Sequence, residues 1–137
     1  MLTEVIIVCH GKLAEALKNS AELITGKQEH IQTYNLEHGD SVDELNANIH
    51  DSIVEAQKKH HEVIVLTDMM SGSPFNATTA NMKELDFIHI TGINMPILLE
   101  ILMLRKTCTA NEIANNVISV GRETIKLAND LFKKVNL

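Results

Sequence analysis

The sequence has no tryptophan, one tyrosine and three phenylalanines, so its core must be built from aliphatic side chains. Its two cysteines, Cys9 and Cys108, are too few for a disulfide framework and are not spaced as metal ligands. No apolar stretch approaches the ~18 residues that a membrane span needs. The longest, Met95 to Leu104, is broken by Pro96 and Glu100. No segment has the charged start and apolar middle of a signal peptide. Together these absences lead us to expect a soluble, cytoplasmic protein. A basic run is missing too: 12 Lys and Arg stand against 18 Asp and Glu, for a formal charge of −6. Such an acidic balance speaks against nucleic acid as a partner. Neither G-x-x-x-x-G-K-[ST] nor G-x-G-x-x-G occurs, which removes both nucleotide-binding fingerprints. There are no repeats, low-complexity tracts or linkers.

What is present is 137 residues, 45% of them hydrophobic. That length suits a single domain spanning residues 1–137. A domain of this size buries roughly 68% of the surface its unfolded chain exposes, so it needs no staples. Glu4 to Cys9 is β-branched and apolar at consecutive positions, the pattern of a strand buried on both faces in a parallel sheet. Leu13, Ala14, Leu17, Ala21 and Ile24 then recur at helical spacing, with Gly26 where a C-terminal cap belongs. A weaker strand covers His30 to Leu36, and Ser41 to Glu44 has the form of a capping box opening a helix to about His60. Glu62 to Thr67 is the second strongly buried strand. Ser73 before Pro74 predicts an N-cap and a helix starting at Pro74. Phe87 to Thr91 is a fourth strand. A short helix runs from Pro96 to near Arg105, and Thr109 to Glu112 is a second capping box opening a helix to about Arg122. From Glu123 the pattern is mixed: Ile125 and Leu127 alternate, while Leu131 and Phe132 follow as in a helix. Strands alternating with helices predict an α/β fold, a doubly wound, mostly parallel sheet with helices on both faces.

In such sheets, sites form beyond the carboxyl ends of the strands, where the strand order reverses. His10 and Gly11 follow the first strand, Asp68 the third, and Thr91 and Gly92 the fourth. Each has a plain structural explanation, since the chain has seven histidines and Ser71-Gly72-Ser73-Pro74 suits an ordinary helix start. Combined, they point to chemistry. A histidine held by a carboxylate has a fixed tautomer and a free nitrogen for attack. A helix N-terminus flanked by Gly and Ser suits a dianionic phosphate. The set predicts a phosphohistidine site on His10. Cys9 faces away from His10 on a strand and is expected in the core. His60 and His61 sit at a helix end, point in different directions and are expected to be solvated rather than metal ligands. Met69 and Met70 suit either an adaptable contact surface or gap filling. The sequon Asn76-Ala77-Thr78 carries no meaning in a cytoplasmic chain.

The segments VIIVCHGKLAEAL, VLTDMMSGSPFNAT and ITGINMPILLE, in this order, resemble the IIA component of the mannose family of the bacterial phosphotransferase system. The resemblance runs from the first strand to about Gly121-Arg122-Glu123. It implies a phosphoryl relay without a cofactor or metal. The histidine matching His10 would take a phosphoryl group from the phosphocarrier HPr and pass it to a histidine on a separate IIB subunit, which associates with membrane IIC and IID components. Asp68 would hydrogen-bond the imidazole. Gly11, Gly72 and Ser73 would bind phosphate, with Met70 and Ser71 contributing to the loop. The resemblance also implies a homodimer exchanging an antiparallel strand, for which Thr124 to Ala128 is the best match, and peripheral association with the membrane transporter. Many members have Gly-Gly where this chain has Ser71-Gly72. A position there that needs positive φ would strain Ser71.

Three other functions fit less well. A relay serving a cytoplasmic dihydroxyacetone kinase would carry a Gly-Ser-Ala type loop in place of Ser73-Pro74-Phe75-Asn76. A signalling receiver phosphorylated on Asp68 would need an acidic pair where Cys9 and His10 stand. A non-catalytic regulatory domain would carry phosphate on His10 without passing it on. No residue need touch the sugar, because substrate choice in such systems lies with the membrane components.

Overall fold

The computed structural model describes residues 2–135. The chain forms β1 (Thr3–His10), α1 (Leu13–Thr25), β2 (Ile31–Leu36), α2 (Val42–Lys58), β3 (Glu62–Thr67), α3 (Ser73–Asn81), β4 (Ile88–Thr91), α4 (Met95–Leu104), α5 (Ala110–Gly121) and α6 (Ala128–Val135). All four strands are parallel and lie in the order β2-β1-β3-β4. The chain steps to one side of β1 and then crosses to the other, so the strand order reverses between β1 and β3. This is the expected doubly wound α/β sheet.

Strand β1 divides the two cores. Val5, Ile7 and Cys9 pack with residues of α1, α4 and α5, whereas Ile6 and Val8 pack with α2 and α3. No residue from Val5 to Cys9 is more than 1% exposed, so the strand has no solvent face at all. Each such aliphatic side chain contributes on the order of 1.5–3 kcal/mol of burial. The helix faces are correspondingly apolar: Leu45, Ile49, Ile53 and Ala56 of α2 on one side, Leu98, Ile101 and Leu102 of α4 on the other.

The helix boundaries follow local chemistry. Ser41 Oγ accepts the Glu44 amide at 3.1 Å, and Thr109 and Glu112 close a complete capping box. Gly26 stands at φ 83° just past α1, as its C-terminal position predicts. Two starts fall one residue earlier than the sequence suggests. Asn94 caps α4, so the helix begins at Met95 rather than Pro96. Gly72, not Ser73, caps α3, because the Gly72 carbonyl already accepts the Asn76 amide at 2.8 Å. In both cases the proline is the second helical residue, where its missing N–H costs no intrahelical bond. Helix α2 stops at Lys58, before the expected His60. The His61 amide donates to Ala56 at 3.1 Å and the His60 amide to Gln57 at 2.9 Å, with His60 at φ 62°. These two bonds define a Schellman motif with histidine where glycine is usual.

Arg105 follows α4 and is 1% exposed. Its guanidinium donates to the His30 carbonyl at 3.0 Å, to Gln28 Oε1 at 3.1 Å and to the Glu29 carbonyl, tying the end of α4 to the loop that enters β2.

The segment expected as an exchanged strand, Thr124 to Ala128, forms no strand within this single chain. Thr124 Oγ1 donates to the Gly121 carbonyl at 2.7 Å and accepts from Asn94 Nδ2, and Ala128 opens α6. A strand needs a neighbour for its backbone groups, and none lies beside this segment among the described residues. Ile125 and Leu127 are left largely exposed.

Candidate functional site

His10 ends β1 and shares the parity of Ile6 and Val8, so its side chain leaves the sheet on the side of α2 and α3. Asp68 directly follows β3, the strand beside β1. The carboxylate thus meets the imidazole across the point where the strand order reverses. Asp68 Oδ2 lies 2.8 Å from His10 Nδ1 and accepts the His10 backbone N–H at 3.0 Å, while Oδ1 accepts the Met69 amide at 3.1 Å. Burial alone would raise the Asp68 carboxyl, but hydrogen bonds from the His10 backbone and ring, with the attraction of the ring, outweigh it and hold the group below its ordinary value. A carboxylate can only accept, so the proton of a neutral imidazole resides on Nδ1 and the Nε2 lone pair is left free.

The start of α3 lies against that free nitrogen. A Cβ placed on Gly72 would stand 2.6 Å from His10 Cε1 and 3.0 Å from Nε2. Glycine is therefore required here for space, since its φ of −115° suits any residue. The amides of Ser73 and Phe75 precede the first intrahelical bond of α3, and Pro74 between them has no N–H. The imidazole edge thus faces a helix N-terminus with unspent donors and a partial positive charge.

The remaining expected site residues divide. Ser71 adopts φ 69°, so a non-glycine residue bears left-handed strain of about 1–2 kcal/mol there. Met70 and Met69 project into solvent beside the loop. Gly11 differs from expectation: its amide donates to the Leu36 carbonyl at 2.8 Å and is not available to a phosphate. Its φ of 60° turns the chain out of β1 into α1, which is the reason for glycine there. Cys9 is fully buried, as expected, and burial with the nearby Asp68 charge pushes its thiol up to about 12. It is no nucleophile at neutral pH.

His89 was not singled out by the sequence. It lies within β4, its Nε2 is 2.8 Å from Thr67 Oγ1, and its ring packs 5.1 Å from that of Phe75 in α3. It braces the strand end that carries Asp68 against the helix that carries Ser73. A histidine inside a short apolar strand was the available signal.

The family model described as PTS system fructose IIA component matches residues 4–118. The chain belongs to this family. The fructose-specific EIIA component of Bacillus subtilis is 28% identical over 98% of this chain and 92% of its own length. The mannose-specific EIIAB component of Escherichia coli is 29% identical over 92% of this chain, which spans 39% of that longer protein. The crystal structure of an EIIA component from Streptococcus agalactiae superposes with a TM-score of 0.84 at 27% identity, covering 94% of this chain and 99% of that one. A IIA protein associated with the fucose utilization operon of Streptococcus pneumoniae gives 0.82 at 25% identity, covering 96% and 97%. As a mannose-family IIA component, the chain is a phosphotransfer subunit of a sugar phosphotransferase system. No helix among the described residues is long and apolar enough to cross a membrane.

The site's geometry and the half-buried His89 imidazole each carry a prediction. Gly72→Ala should leave the fold intact but displace the His10 ring, because 2.6 Å lies inside any normal Cβ contact. Nitrogen-15 spectra of the imidazole should then lose the single Nδ1–H tautomer, and an unchanged spectrum would contradict the contact. Burial also pushes His89 down to about 4 from 6.5. Between those values the unfolded chain takes up a proton that the folded chain refuses, so stability falls as pH drops through that window. The depressed Asp68 acts separately, its contribution present above the ordinary carboxylate range and lost as pH falls below it. Urea unfolding at several pH values should show the upper decline, and His89→Gln should flatten it.

Proposed function

We propose that His10 is the phosphoryl acceptor, receiving the group from HPr and passing it to a histidine on a separate IIB subunit. The observation that carries this is the 2.8 Å contact of His10 Nδ1 with Asp68, which leaves Nε2 free beside the N-terminus of α3. The Nε2 lone pair attacks phosphorus, the new N–P bond forms as the donor's bond to phosphorus breaks, and the donor leaves with that electron pair. The ring gains positive character, which the Asp68 carboxylate balances. The phosphoryl oxygens are met by the amides of Ser73 and Phe75 and by the Ser73 hydroxyl, and Gly72 supplies the room. Transfer of this kind is mostly positioning and charge stabilisation. The same steps run in reverse toward the IIB histidine.

Ser71 and Met70 shape the loop, and exposed Met69 and Met70 form an adaptable apolar rim for two successive partners. The acidic surface suits a cytoplasmic protein that joins the membrane IIC and IID components only through IIB. We further propose a homodimer. The sheet ends in two edge strands, β2 and β4, and the chain ends in exposed Ile125, Leu127, Leu131 and Phe132. Edges and apolar patches of this kind are normally covered. Extension of Thr124 to Ala128 along a partner's edge would supply the neighbour that the segment lacks among the described residues.

Incubation with phosphoenolpyruvate, enzyme I and HPr should add one phosphoryl group per chain by intact mass, and none to His10→Ala. Ser73→Ala removes one hydrogen bond to a charged group, roughly 1.5–3 kcal/mol, and should slow transfer by about one to two orders of magnitude. Asp68→Asn should fold yet transfer much more slowly. Phosphate persisting in His10→Ala, or located on Asp68, would overturn the assignment. Sedimentation at micromolar concentration should return twice the chain mass, and truncation before Thr124 should abolish the dimer; a monomer throughout would refute the exchange.

A further inference from the structure

A second cluster of ionisable groups lies at the opposite end of β1 from His10. Glu4, six residues earlier, is about 20 Å away at the rise of an extended strand. Its side chain is 6% exposed, and its Oε1 stands 2.7 Å from His61 Nδ1 and 3.5 Å from His30 Nδ1. The two imidazoles meet edge to face with centroids 5.4 Å apart. One ligand atom from each of the three residues falls within 4.8 Å of the others. The expectation that His61 is solvated is therefore corrected: His60 projects into solvent, but His61 turns back onto a buried carboxylate.

We propose that Glu4, His30 and His61 form a binding site for a divalent transition metal of the zinc type. Two imidazole nitrogens with one carboxylate oxygen are a donor set that zinc takes in tetrahedral geometry, with the fourth position left to water. Metal–ligand distances near 2.0–2.2 Å place the ligand atoms of a tetrahedral site roughly 3.3–3.5 Å apart. The Glu4–His30 separation already matches that spacing, and the Glu4–His61 separation opens to it when the metal replaces the shared proton. Oxygen-seeking magnesium and calcium are poorly served by two imidazoles.

The surrounding backbone holds the three donors independently of one another. Glu4 is fixed in the central strand. The Schellman motif that ends α2 sets His61, with His60 held at φ 62°. His30 stands at φ 58°, and its carbonyl, with that of Glu29, accepts from buried Arg105. The two terminal nitrogens of the guanidinium are committed to the loop. Its buried Nε makes no hydrogen bond among the described residues and its charge lies near Glu4, while the Glu4 carboxylate itself pairs with the two imidazoles. Helices α1 and α2 also end at this edge of the sheet, and their carbonyl ends favour a cation. A bound metal would join the start of β1 to the segments entering β2 and β3.

The test is a zinc titration of the chelator-treated full chain by calorimetry, with the unfolding temperature followed in parallel. One zinc per chain should bind and raise that temperature. His30→Ala and His61→Ala should each weaken binding by more than about tenfold. His50→Ala, which removes a looser histidine lying 3.6 Å from Asp51 and 3.8 Å from Glu84, should leave binding unchanged. Should His61→Ala fail to fold, NMR of the unaltered chain decides, because zinc must perturb the ring signals of His30 and His61 ahead of the other histidines. No stoichiometric uptake, uptake indifferent to both variants, or ring signals that move first at other histidines would overturn the proposal. None of these outcomes bears on phosphoryl transfer at His10.

Discussion

Everything in this molecule depends on β1 being buried on both faces. A strand with neighbours on both edges and helices above and below has one place to show a polar side chain to solvent, which is its end. Alternation then decides what that side chain meets. Cys9 points to α1, α4 and α5 and is sealed, whereas His10 points to α3 and meets the helix start. A shift of one residue in register would exchange the two, sealing the imidazole in the core and leaving a thiol facing the start of α3. The apolar run is thus both the core of the fold and the ruler that sets the imidazole.

Much of this was legible from residues alone, for identifiable reasons. Continuous β-branched runs at Glu4 to Cys9 and Glu62 to Thr67 have few alternatives to buried parallel strands, and chemistry at their carboxyl ends follows from topology. The pairing of His10 with Asp68 could be anticipated because both residues end neighbouring strands. What sequence could not give was distance in space. Gly72 stood out from its place beside Ser73, but the structure adds a second reason for glycine that no local pattern encodes: a Cβ there would stand 2.6 Å from His10 Cε1. Gly11 looked available and proved committed to the Leu36 carbonyl, because the bond crosses to another strand. His61 looked solvated because a helix end usually is, while the residue that recruits it lies 57 positions away. The tail differs for another reason. Thr124 to Ala128 alternates like a strand, but alternation forms a strand only against a neighbouring ladder, and a single chain offers this segment none among the described residues.

The backbone shows where the chain accepts strain. Among the described residues, three that are not glycine adopt left-handed φ: His30, His60 and Ser71. Each costs on the order of 1–2 kcal/mol, a noticeable fraction of the 5–15 kcal/mol that holds a domain folded. They are not scattered. Ser71 lies in the loop that delivers Gly72 to His10, while His30 belongs to the Glu4 cluster and His60 precedes its third member, His61.

The two ends of a parallel sheet also differ electrically, and the residues are sorted to match. Right-handed β-α-β units bring helix N-termini to the carboxyl edge of the strands and helix C-termini to the amino edge. The carboxyl edge thus carries partial positive charge from α3 beside the His10 imidazole, an arrangement suited to an anion. The amino edge carries partial negative charge beside a buried carboxylate and two imidazoles, an arrangement suited to a cation. An anion held at the Glu4 edge would face helix carbonyls, and a cation held at the His10 edge would face helix amides. Strand direction therefore fixes the chemistry that each end of the molecule can support, before any individual side chain is considered.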